Sequence, residues 1–249
     1  MDFAKRFLHK FGSPDFITFT NVFAHINNLP ELLDSLRMLL NKKTVIIIEN
    51  HYLGAIFQTK QFDTYYHEHP RTYSYRSFEY IAKSLGLKLL DVQYVSRYGG
   101  NIRVYLGHGE PNLIPEVDET KFKDQFGELC DDIETWIVNT KDWINKYVEK
   151  NGKFRAKAFP GRASILINLL KLDESHISAV YEIKGSIKVN NYVPGTRIPI
   201  LPESKLYKLE NQNEPILNLG WHIPDEVRQN LISNGYTGQV LDIKGAKYE

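Results

Sequence analysis

His67, Glu68 and His69 stand in a run, residues 61–77 (QFDTYYHEHPRTYSYRS), that also carries Tyr65, Tyr66, Arg71, Tyr73 and Tyr75. A core segment does not hold so many titratable groups, and a solvated loop rarely holds so many rings, so the run reads as the lining of a site. An imidazole titrates near neutral pH, and an adjacent carboxylate can orient it or raise its pKa; together they equip a general base. Taken as an extended segment, the run turns His67 and His69 to one face and Glu68 to the other. A metal site is a rival reading, although no third ligand stands at an obvious spacing. A plain surface or capping cluster is the other.

Further groups gather at what look like strand ends. His25 follows a first short strand, and Glu49, Asn50 and His51 are expected just past the end of a second, on the edge where open α/β sheets take ligands. Phe159-Pro160-Gly161-Arg162-Ala163-Ser164 reads as strand, tight turn and helix start, where backbone N–H groups favour a phosphate and Arg162 adds a charge-assisted contact. An ordinary tight turn is the alternative there. Residues 192–199 (YVPGTRIP) form a rigid turn around Arg197, and Trp221-His222 follows another strand end. A packed tryptophan is the alternative to a ligand contact for Trp221.

The elements that must position these groups follow from periodicity. Residues 3–11 read as a short helix stopped by Gly12-Ser13-Pro14, and residues 15–19 (DFITF) as a short strand. Apolar residues at helical spacing span 29–40, and the β-branched run 44–48 (TVIII) predicts a strand covered on both faces. Strand, helix, strand makes a right-handed βαβ unit. A helix is expected over 76–85, then a hairpin of 87–96 and 101–106 around Arg97-Tyr98-Gly99-Gly100, then a loop to 115. Residues 119–150 carry one long helical pattern. Beyond it come strands at 153–159, 177–183, 215–219 and 239–243, with helices at 165–172 and 225–234, the latter N-capped by Asp225. The fold class is therefore α/β. It divides into a lobe over 1–112, a helical linker over 113–152 and a smaller α/β lobe over 153–249.

Composition narrows the function classes. With 31 basic and 30 acidic residues and a net charge of +1, the 249-residue chain carries no basic stripe for nucleic acid. Cys130 is its single cysteine, which excludes an intrachain disulfide framework and a thiolate cluster for zinc, and suits a reducing, cytoplasmic setting. No apolar run reaches transmembrane length and none at the N-terminus reads as a signal peptide, so no membrane partner is expected.

Taken together, residues 21–26 (NVFAHI), 61–74 (QFDTYYHEHPRTYS) and 97–106 (RYGGNIRVYL) resemble the second half of the S-adenosylmethionine-dependent sugar C-methyltransferases. Residues 159–168 (FPGRASILIN), 192–200 (YVPGTRIPI) and 220–227 (GWHIPDEV) resemble that family's C-terminal domain, which helps to hold the nucleotide-sugar. The resemblance covers nearly the whole chain in order. It implies a partial Rossmann-like methyltransferase lobe followed by a smaller Rossmann-like lobe. It implies His69 as the base that removes a proton beside a keto group on a dTDP-linked sugar, assisted by Tyr66, Glu68 and His25. Arg162, Asn168, Arg197, Trp221 and His222 are then the substrate-binding candidates, and Asn21 and Glu49 the candidates for S-adenosylmethionine. The family's cysteine-rich zinc domain and Gly-rich cofactor loop have no counterpart here, since the chain starts at the helix before the family's fourth methyltransferase strand. No metal is expected. The strand at 15–19 would be an open edge, and a separately encoded N-terminal half, or a second copy of this chain, is the expected partner. The alternative function is a nucleotide-sugar-binding protein without methyl transfer, a remnant, epimerase-like or regulatory.

Overall fold

The computed structural model describes residues 2–112 and 118–244. It divides into two units, Met1–Cys130 and Asp131–Glu249. The boundary falls within one long helix.

In the first unit, helix α1 (Asp2–Phe11) stops at Gly12, whose φ of +75° breaks the helical run. Strand β1 (Phe16–Thr20) follows, then a 3₁₀ turn (Phe23–His25) and helix α2 (Leu29–Leu39). The Asn28 side chain caps α2 by accepting from the Glu31 N–H at 3.2 Å, and Pro30 sits in the first turn, where no N–H is needed. Strand β2 (Val45–His51) lies parallel to β1, as the βαβ reading predicts. Glu49, Asn50 and His51, expected beyond this strand, are its last three residues. Antiparallel pairing with strand β4 (Asn101–Gly107) prolongs it until His51 stands opposite Asn101.

Between these strands come helix α3 (Leu53–Thr59), a 3₁₀ turn (Phe62–Thr64), helix α4 (Tyr75–Ser84) and strand β3 (Lys88–Val95). The hairpin of β3 and β4 turns through Arg97–Gly99, as the Gly-Gly signal predicts. The sheet order is β1-β2-β4-β3, with β1 at one end. Ile46, Ile48, Ile102, Val104 and Leu106 are fully buried in it, packed with Phe23, Leu36 and Phe78. Each such side chain contributes about 1.5–3 kcal/mol by leaving water, so this sheet is a firm platform for whatever its strand ends carry. Glu119 closes the unit: its carboxylate accepts from the N–H groups of Tyr75 (2.8 Å) and Arg76 (3.2 Å) at the start of α4, and from the Tyr52 hydroxyl at 3.2 Å. Part of the loop expected up to residue 115 lies outside the described residues.

Helix α5 (Phe122–Asn151) leads into the second unit. There β5 (Phe154–Lys157), α6 (Ala163–Leu170), β6 (Ile177–Glu182), β7 (Ile200–Pro202), α7 (Glu203–Leu206), β8 (Ile216–Asn218), α8 (Pro224–Ser233) and β9 (Val240–Asp242) build a wholly parallel sheet in the order β7-β6-β5-β8-β9. This is a doubly wound, Rossmann-like arrangement whose order reverses between β5 and β8. One expectation fails in α8. Asp225 is not its N-cap but lies inside the first turn; Ile223 occupies the cap position, and Pro224, with φ already set for a helix, starts the run. No described helix is long and apolar enough to cross a membrane.

Candidate active site

The carboxyl ends of β1 and β2 carry a polar floor. Glu49 Oε2 accepts from Arg103 at 2.6 and 2.9 Å, while the Asn101 amide donates to Glu49 Oε1 (3.2 Å) and to the Asn21 side-chain oxygen (2.9 Å). Burial pushes the Glu49 carboxyl up, but the bonds from Arg103 and Asn101 and the nearby positive charge outweigh it and hold the group below the usual carboxylate range. Both oxygens of Glu49 are thus committed within the sheet. Buried and bonded in this way, it does not fit as a ligand for cofactor hydroxyls. Asn21 stands beside it in the left-handed region, with φ of +53°.

Above this floor the chain brings His25 and the 61–77 run together. Asn50 reaches from β2 to take the Ala24 N–H (3.3 Å), which fixes the turn that carries His25. Arg71 donates to the carbonyls of Ile26 (2.7 Å) and Asn27 (3.1 Å), tying that turn to the loop of His69. Tyr73, stacked on Phe78 with centroids 5.1 Å apart and a further 5.2 Å from Phe23, anchors the same loop in the core. Burial pushes its phenol up to about 12, so it acts as a neutral ring.

The run itself is not extended. A 3₁₀ turn at Phe62–Thr64 is followed by a turn in which the His69 N–H bonds the Tyr66 carbonyl (2.8 Å). Backbone turns break the alternation of a strand, so His67 and His69 do not share a face. The His67 side chain is 86% exposed and Glu68 lies 3.9 Å from it, half in solvent, whereas His69 turns inward. The His69 ring centre is 4.6 Å from that of His25, edge-on, and 4.5 Å from that of Tyr66. His69 Nδ1 lies 3.1 Å from the Thr64 carbonyl, which can only accept. Nδ1 therefore carries the proton, and in the neutral ring Nε2 is the basic atom.

Two more rings complete the group. His51 lies 5.9 Å from His69 and 6.4 Å from Tyr98, centre to centre. Tyr98 sits at the tip of the β3–β4 hairpin with φ of +52°. The tip is pressed onto its neighbours: a Cβ at Gly99 would collide with the Gln61 amide, and one at Gly100 with Ala55. Among the described residues no group of three or more His, Cys, Asp or Glu side chains is placed to hold a metal ion. Arg71, Asn50 and His51, named in the sequence as part of the 61–77 run and of the second strand's end, join this site, and Thr64 and Tyr98 join it without having been given a role there. Only their neighbourhood in the 61–77 run and in the Gly-Gly hairpin signalled the last two.

In the second unit, three of the five substrate candidates meet near the point where the sheet order reverses. The Arg162 guanidinium carbon lies 5.4 Å from the Trp221 ring centre, Lys244 Nζ approaches the same ring to 4.2 Å, and the His222 ring is 6.3 Å away. Cations close to a tryptophan face are favoured by the ring's quadrupole. Asn168 is instead on the exposed face of α6, bonded to the Ser164 carbonyl (2.7 Å) and packed on the Gly195 turn. Arg197 is exposed and its N–H donates to Glu174 (3.2 Å).

Residues 96–239 match the model of the C-methyltransferase C-terminal domain, and residues 3–92 match that of a methyltransferase domain. The chain belongs to the C-methyltransferase C-terminal domain family. It is 25% identical over 220 residues to the C-methyltransferase NovU of Streptomyces niveus, an alignment covering 84% of this chain and 51% of that protein. The chain thus spans about half the length of the curated relative it matches. Together with the parallel β1–β2 pair of the first unit and the wholly parallel sheet of the second, the family match establishes the Rossmann-like α/β class expected from the motifs.

Proposed function

We propose that this C-methyltransferase family chain performs the proton-abstracting half of C-methylation on a keto-sugar nucleotide. The observation that carries the reading is the inward turn of His69, with Nδ1 held by the Thr64 carbonyl and with His25 and Tyr66 in ring contact. His69 Nε2 takes the proton from the carbon beside the ketone, while Tyr66 and His25 hold the ring. His69 then releases the proton to solvent, with the carboxylate of the exposed Glu68, its neighbour in the chain, favouring the charged ring meanwhile. S-adenosylmethionine supplies the methyl group when it is bound. Within the second unit taken by itself, Arg162 and Trp221, at the reversal point of its sheet, suit the phosphates and base of a nucleotide.

Glu49, the expected cofactor ligand, is occupied by Arg103 and Asn101. That favours a cofactor grip completed from outside this chain. The β1 edge gives such a partner a place to pair: β1 ends the sheet, and Phe16 on it is 66% exposed. We place a separately encoded N-terminal methyltransferase half there; pairing between two copies of this chain is the competing arrangement. The same occupied Glu49 favours, as a second reading, a nucleotide-sugar-binding protein that enolises its ligand without methyl transfer.

The test is solvent deuterium exchange followed by proton NMR. The purified chain, without cofactor, is expected to exchange the hydrogen beside the ketone of dTDP-4-keto-6-deoxyglucose, and calorimetry is expected to find weak S-adenosylmethionine binding. No exchange above buffer would overturn the proposal. Full-strength cofactor binding by the chain alone would remove the partner from it.

A further inference from the structure

We propose that His51 is a further catalytic residue of this site: the hydrogen-bond donor to the keto oxygen while His69 removes the neighbouring proton. The inference rests on the enolising role given above to His69, and it adds the group that receives the developing charge.

Three imidazoles converge here, and their spacings separate their roles. His25 meets the His69 ring edge-on at 4.6 Å between centres, which is direct ring contact. No substrate carbon and carbonyl fit between rings so placed, so His25 is a positioning residue. His51 stands 5.9 Å from His69, with the planes inclined at 51°. A base and a donor that grip the two ends of one C–C=O unit each need a heavy-atom approach of about 3 Å, so their rings must stand near each other without touching. The His51–His69 pair meets that condition.

The strand holds His51 firmly enough for the task. It is the last residue of β2, in register with Asn101, and the next N–H, that of Tyr52, bonds the Gly100 carbonyl at 3.2 Å. Side chains alternate along a strand, so His51 lies on the same face as Glu49, whose pairing with Arg103 and Asn101 makes the floor beneath it. Tyr98, at the hairpin tip pressed against α3, stands 6.4 Å from His51 between ring centres. A donor on a rigid element loses nothing to reorganisation when charge develops.

The step balances without a further reactant. The C–H bond breaks and its proton passes to His69 Nε2. Its electron pair becomes the new C=C bond, and the carbonyl π pair moves to oxygen. His51 donates an N–H to that oxygen and keeps its own proton.

Removing one such donor typically slows a reaction by ~10²–10³-fold. In the full chain, His51→Leu should therefore slow deuterium exchange into dTDP-4-keto-6-deoxyglucose by ~10²-fold while its Kd, measured by calorimetry, stays unchanged. His51→Gln, which restores an N–H donor, should regain about tenfold of that rate. Exchange by His51→Leu at the unsubstituted rate would overturn the proposal. So would equal slowing in the Leu and Gln variants, because a packing role does not distinguish a donor from an isostere. Exchange that needs His69 but not His51 sinks this assignment alone. A chain with no exchange at all sinks the enolising reading, and the role of His51 with it.

Discussion

The Thr64 carbonyl oxygen lies 3.1 Å from His69 Nδ1, and this one contact decides which nitrogen of the ring can accept a proton. Glutamine offers a side-chain N–H to the same carbonyl but no basic nitrogen. His69→Gln should therefore keep the loop in place and lower deuterium exchange by ~10²–10⁴-fold, the usual contribution of a positioned base. Exchange rate and nucleotide-sugar affinity, measured together, check this: the first should fall and the second should hold.

Arg71 bridges the two loops, donating to the carbonyls of Ile26 and Asn27 from a position two residues after His69. Arg71→Ala removes both bonds; solvent hydrates the freed carbonyls, so the cost is the net worth of hydrogen bonds from a charged donor, about 1.5–3 kcal/mol. Exchange should fall by about tenfold or more as the His25–His69 contact loosens. Urea unfolding and exchange rates would show the two losses together; a stable variant with normal exchange would leave the bridge without a role.

Much of the scaffold was legible because it follows local rules. The TVIII run, the Gly-Gly hairpin and the helical spacing over 29–40 all give the elements they predict. Helix α3 was missed: it has seven residues, and Tyr52 before it makes no side-chain cap. Strand β7 was missed because it has three residues and ends in Pro202. His25 and the HEH run were legible as chemistry, yet their meeting came only from the family resemblance. Asn50 bonds Ala24 across 26 residues and Arg71 bonds Ile26 across 45, and no periodicity encodes such long-range clamps. The failure over His67 was local: a 3₁₀ turn replaced an extended segment, and one misplaced turn redirects every side chain after it.

Glu49 makes stability depend on pH in a definite sense. Its carboxyl is held below the usual carboxylate range in the folded state, by the bonds from Arg103 and Asn101 that outweigh burial. The stabilisation is present above the unfolded pKa and is lost as pH falls through the folded one, so the loss lies on the acid side of the ordinary carboxylate range. Glu49→Gln should flatten that limb of a stability–pH profile. Glu49→Ala at neutral pH should cost about 3 kcal/mol, at the lower end for a broken buried pair because Arg103 reaches solvent. Urea denaturation across a pH series reads both effects, and an unchanged acid limb in the Gln variant would refute the assignment.

The second unit poses the same question with a drier answer. Lys157, at the end of β5, is 2% exposed and its Nζ lies 2.6 Å from Glu203 Oε2. Tyr207 crowds the same carboxylate from 3.5 Å, and burial together with that charge pushes its phenol up. Desolvation of two charges nearly cancels their attraction at such a site, so the pair as a whole adds little, while either partner alone is costly. Glu203→Ala should thus destabilise the chain by about 3–5 kcal/mol, because it strands the ammonium ion. Lys157→Met combined with Glu203→Leu should lie much closer to the unsubstituted chain. Chemical denaturation of the single and double variants decides the matter: near-additive losses would mean that the two charges act independently, and that the ion pair is not what holds the end of β5 against α7.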